Sequence, residues 1–204
     1  MPEPVRICIE AGSRRVFASA LDWPGWCRQA RTEASAIKEL EACAPRYRPV
    51  ARAAGVTFPT EFKFEVVETS TGNATTDFGA PGIVAKAESE PLDLNGAKRL
   101  SSLVKGVWVV LETVASNAPA GLRKGPRGGG RDTAQMIEHV HAAEDAYLRK
   151  VGIKLKDPSL RRLAFLAALE SVEELEGGWP LRYAVRRTAW HALDHAWEIE
   201  ERSS

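Results

Sequence analysis

The stretch TAWHALDHAWEIEER, residues 188–202, sets two histidines four residues apart, His191 and His195, with a carboxylate at Glu198 and tryptophans at Trp190 and Trp197. A separation of four puts both imidazoles on one face of an α-helix, about 40° apart, and Glu198 joins that face three residues later. Neutral imidazole nitrogens bind divalent cations, and a nearby carboxylate can ligate, orient an imidazole or act as a base. The chain has only four histidines, and the other two, His139 and His141, share one further stretch. A third histidine from there would complete three protein ligands and leave a position for water or substrate, as in a catalytic zinc site. The rival reading is plain: hydrogen-bonded histidines with no ion.

Spacing does not choose between His139 and His141. The apolar stripe of their helix is Met136, Val140, Ala143 and Tyr147, with Ile137 and Leu148 at one edge. The two histidines flank that stripe on opposite sides, so one of them is expected to face solvent.

The elements that must position these groups fall in two halves. VRICIE (5–10) and RVFASAL (15–21) read as strands joined by AGSR, and DWPGW breaks the second. Thr32 caps a helix over 33–47, whose Pro45 calls for an earlier end. EFKFEVVET (61–69) alternates, with Phe62, Phe64 and Val66 on one face, and IVAKAE (83–88) reads as a last strand. The first half, 1–90, is thus a small β-β-α-β-β module. From 91 to 204 the pattern is helical. Helices are expected over 94–115, from Asp132 to a stop at Gly152, from Asp157-Pro158 to Gly177-Gly178, and from Pro180 to Arg202. Four helices with short connections imply a four-helix bundle, and the fold class is α+β.

Composition narrows the function. Lys and Arg number 28 against 27 Asp and Glu, so no bulk charge draws the chain to nucleic acid or to an anionic membrane. No apolar run reaches the ~20 residues of a membrane span, and the N-terminus lacks the pattern of a signal peptide. Three cysteines, Cys8, Cys27 and Cys43, contain no CxxC and suggest reduced thiols in a cytoplasm. Cys27 beside Trp26 reads as a buried apolar residue rather than a reactive thiol. The basic loop 123–131, RKGPRGGGR, lacks the preceding strand and the GK[ST] of a phosphate loop. A homodimer is compatible with the sequence.

AQMIEHVHAAEDAYLRKVG, followed after another helix by YAVRRTAWHALDHAWEIEER, resembles the DinB-like four-helix-bundle metalloproteins over residues 92–202. The motifs are WHxxxHxWE and a histidine five residues before a glutamate and eight before a tyrosine: His139, Glu144 and Tyr147. The resemblance implies a divalent metal on His139, His191 and His195, with His141 outside the pattern. Zinc, nickel or iron would suit three histidines. It also implies a small-molecule thiol as partner and metal-dependent thiol transfer as the activity; metal-dependent hydrolysis and a non-enzymatic binding role are the alternatives. Asp194 reads as an exposed charge, and Trp190 and Trp197 as core packing against another helix. RVFASALDWPGWCRQARTEASAIKELEACAPRY is similar to HicB-like domains, whose two strands lead through a PD-x-PG loop into a helix. Leu21 stands here where that family has proline.

Overall fold

The computed structural model describes residues 3–125, 130–171 and 178–203. Four strands, β1 (Glu3–Ala11), β2 (Val16–Ala20), β3 (Cys27–Ala30) and β4 (Phe62–Thr71), form one mixed sheet in the order β3-β2-β1-β4. β1 pairs antiparallel with β2 and parallel with β4. Between β3 and β4 lie α1 (Glu33–Ala42) and α2 (Ala44–Ala53). After β4 come the short α3 (Ala74–Phe78) and a 3-10 turn at Lys86–Ser89. Four longer helices follow: α4 (Leu94–Asn117), α5 (Thr133–Arg149), α6 (Pro158–Ser171) and α7 (Leu181–Ser203). The molecule is α+β, as its hydrophobic patterning implies.

The strand β3, between the WPGW break and α1, was not foreseen, and three further details differ from the sequence expectation. The helix foreseen over 33–47 is two helices. Thr32 caps the first by accepting from the Ser35 N–H, and Pro45 sits in the first turn of the second, where its missing N–H costs nothing. Residues 83–88 form no strand. The N–H groups of Gly82 and Ile83 donate to the buried Glu10 carboxylate, and that of Ala85 donates to Glu88, so side chains replace a sheet partner. Val66 is exposed although it keeps the register of Phe62 and Phe64 and pairs with Ile7; the β1–β4 register slips only after it, between Ile7 and Cys8. The expected end of the third long helix falls on 172–177, outside the described residues.

One core runs through both segments of the chain. Ile7 and Ile9 of β1, Leu40 of α1, Tyr47 and Val50 of α2, Leu103 and Val107 of α4, and Ala189 and Leu193 of α7 belong to a single buried cluster. Trp26 anchors its N-terminal end, stacked on Tyr47 and donating its indole N–H to the Leu40 carbonyl. Two glycines permit the close fit. A Cβ on Gly106 would lie 2.5 Å from the Val50 carbonyl oxygen where α4 crosses α2. Gly25, at φ 92°, turns the WPGW loop against α7, where a Cβ would meet Leu193 at 2.6 Å. A second cluster, including Val104, Trp108, Leu148, Phe165 and Val185, fills the space among α4, α5, α6 and α7. Among the described residues no helix is long and apolar enough to cross a membrane.

Candidate metal centre

α7 is buried along most of its length, between the sheet side of the molecule and α5. Its i, i+4 spacing turns His191 and His195 toward α5, and α5 answers with His139. One ring nitrogen from each of these three residues lies within 4.8 Å of the other two. His191 is buried, and His139 and His195 are half-buried, so the cluster reaches solvent on one side. The Nε2 atoms of His191 and His195 are 3.2 Å apart. Two imidazole lone pairs cannot face each other at that distance without a proton or a cation between them. The separation also matches the ~3.3 Å ligand–ligand edge expected of a tetrahedral ion with bonds of ~2.0–2.1 Å.

The tautomer of His195 is fixed from behind. Its Nδ1 lies 3.1 Å from Glu198 Oε2, while Arg202 donates to Glu198 Oε1 at 2.9 Å. Nδ1–H therefore donates to the carboxylate, and the Nε2 lone pair is left facing the cluster. This carboxylate–histidine arrangement is the usual support of a metal-ligating imidazole. Burial, followed by the neighbouring His195 and His139, pulls the pKa of His191 down to about 2. Burial also lowers that of His139, with help from Arg131 and His195. Both rings are thus held neutral, the form in which imidazole binds metal.

His141 is not in the cluster. It lies toward α6, where its backbone carbonyl accepts from Arg161, and burial beside Arg162 and Arg161 lowers its pKa. The two sides of the α5 stripe therefore have different neighbours: α7 on the His139 side and α6 on the His141 side. Glu144 likewise points away from the triad. It is buried between Arg162 and Arg161 and ties α5 to α6.

Compared with known proteins, the chain matches no protein-family model, no curated protein and no solved structure. The site therefore has to be read from its own geometry.

Asp194 departs from the exposed charge expected of it. It is half-buried and lines a cavity of about 380 Å³ on the neighbouring face of α7, together with Phe17, Cys27, Arg28 and Trp190. Burial raises its pKa. Trp190 and Trp197 are buried: Trp190 meets Phe17 of β2 edge-on rather than a helix, while Arg28 of β3 and Arg46 of α2 both lie over Trp197. Cys27 is buried and accepts from the Ser19 hydroxyl, and burial pushes its thiol up to about 12, so it is no nucleophile. Of the basic loop, Arg123 donates to the Glu201 carbonyl and so fastens the loop to the end of α7; residues 126–129 lie outside the described residues.

Sequence reasoning missed Arg187 and Arg202, and it named Tyr147 only as part of a motif. Their spacing carried the signal. Arg187 precedes His191 by four residues, and Arg202 follows Glu198 by four, both on the histidine face of α7.

Proposed function

We propose that α4 to α7 form a DinB-like four-helix bundle in which His139, His191 and His195 hold one divalent metal, zinc, nickel or iron, and that the site activates a low-molecular-weight thiol for transfer. The observation that carries this reading is the pair of Nε2 atoms 3.2 Å apart with a third histidine alongside and Glu198 fixing a tautomer behind. When bound, an ion held by three neutral imidazoles keeps its double charge and acidifies a thiol or water in its remaining position. The chain's own residues do the rest. Burial keeps the His191 ring neutral, Glu198 aims the His195 lone pair, and Arg202 holds Glu198 in place. For the N-terminal module, the support for a HicB-like reading is the β1–β2 pair followed by the Asp22–Gly25 turn; a third strand intervenes before the helix.

Purified protein loaded with zinc, nickel or iron and then desalted tests the metal. One ion per chain is expected, and His191→Ala should abolish retention. Retention unchanged in that variant would overturn the site. Metal-dependent conjugation of 2-mercaptoethanol to a chloronitrobenzene tests the thiol chemistry; metal-dependent cleavage of a nitrophenyl ester without conjugation would turn the reading toward hydrolysis.

A further inference from the structure

α7 carries two consecutive buried arginines, Arg186 and Arg187. Arg186 is fully matched: its Nε and one terminal nitrogen donate to the Glu88 carboxylate at 2.6 and 2.9 Å, and it also donates to the Ile83 carbonyl. The buried Arg161 and Arg202 likewise lie beside carboxylates. Among the described residues Arg187 is the one buried arginine that forms no ion pair. It donates to the Pro81 carbonyl at 2.9 Å and to the Tyr147 hydroxyl at 3.2 Å, and its Nε has no acceptor.

Its position gives this unmatched charge a meaning. Arg187 lies one helical turn before His191. Its guanidinium carbon is 4.9 Å from the ring centres of both Tyr147 and Trp190. Those same rings stand 5.8 and 5.9 Å from the ring of His191. The carboxylate that touches the triad, Glu198, is already shared between His195 and Arg202. Carbonyl and hydroxyl dipoles repay only part of the cost of taking a guanidinium out of water. A divalent ion on the histidines would deepen the positive excess.

We propose that Arg187 receives the anionic group of the small molecule that enters beside the triad, so that the ligand class is a small acid, here a thiol that also bears a carboxylate. The inference rests on the metal-and-thiol reading above for the other end of the ligand. On binding, the thiol releases its proton to the buffer and nothing is oxidised or reduced.

The test uses the full chain loaded with cobalt(II), titrated with 3-mercaptopropionate, its neutral amide and cysteamine, and read from the thiolate-to-cobalt absorption band. Direct chelation of cobalt favours both the acid and the amine, whereas Arg187 favours the acid alone. The acid should bind roughly 10- to 100-fold more tightly than the amide, as a charge-assisted pair provides, with the amine weakest. Arg187→Met should erase the preference for the acid while the amide still binds, and Arg187→Lys should keep part of it. Equal binding of acid and amine by the wild type, or a preference that survives Arg187→Met, overturns the proposal. Should Arg187→Met not fold, the wild-type order and Arg187→Lys decide. Absence of any cobalt spectrum would instead remove the metal reading, and this inference with it, so the two failures look different.

Discussion

Two faces of α7 treat buried polarity in opposite ways. Toward the connector between β4 and α4, Arg186 meets Glu88 and the Ile83 carbonyl, while Glu10 collects the N–H groups of Gly82 and Ile83. Each charge there has its counter-charge or its donors, and the result is a closed clamp. Toward α5, His191 and His195 point nitrogens at each other, Arg187 lacks an acid, and the Thr188 hydroxyl has no partner among the described residues. Residues one position apart thus experience complete and incomplete matching on the same helix. Where folding alone sets the environment, buried polar groups are satisfied. Under the proposed function, the unsatisfied cluster midway along α7 is the place where a ligand supplies what the chain does not.

The sharpest way to break this contrast is to disrupt the clamp and the site separately. Glu88→Gln leaves Arg186 buried without its counter-charge and should cost about 3–5 kcal/mol in chemical denaturation. Arg187→Met removes a charge that had no counter-charge and should change stability by no more than about 1 kcal/mol. Similar losses for both would erase the distinction. On the site itself, Glu198→Gln should weaken metal affinity about 10- to 100-fold, measured by competition with a chromophoric chelator, because the His195 tautomer is no longer enforced.

A pH series sharpens the contrast further. The pKa of His191 is about 2 in the folded chain, against an ordinary value near 6.5. Between those values the unfolded chain binds the extra proton and the folded one does not. Stability of the metal-free protein therefore falls as pH drops below 6.5, by up to about 1.4 kcal/mol per pH unit from this group. The measurement is the difference in slope between wild type and His191→Gln from pH 7 to 5; parallel slopes would contradict the neutral, buried ring. The smallest expected effect is that of His141→Ala, which should leave metal content unchanged in elemental analysis, since His141 faces α6.

Much of this was legible in the residues. Period-two and period-3.6 patterns located β1, β2, β4 and the long helices, because each buries one continuous apolar face. The i, i+4 histidines announced a shared face of α7. The segment 83–88 misled because its apolar residues do pack, yet its backbone bonds go to Glu10 and Glu88, partners no local pattern reveals. Asp194 and Trp190 misled for a related reason: the neighbour of that face of α7 is the edge of the sheet, a long-range contact. The choice between His139 and His141 could not come from periodicity, since both flank one stripe and only the placement of α6 and α7 around α5 separates them. Arg187 did not stand out in the sequence because what distinguishes it is a missing carboxylate, which appears only when every neighbour is in place.

X-ray absorption at the zinc edge of the zinc-loaded protein measures the central point directly. Three nitrogen scatterers at ~2.0–2.1 Å with the outer-shell pattern of imidazole, plus one further light atom, are expected. Addition of 3-mercaptopropionate should replace that atom with sulfur at ~2.3 Å. A shell of oxygens without imidazole scattering, or the same spectrum from His191→Ala, would contradict a metal held by His139, His191 and His195.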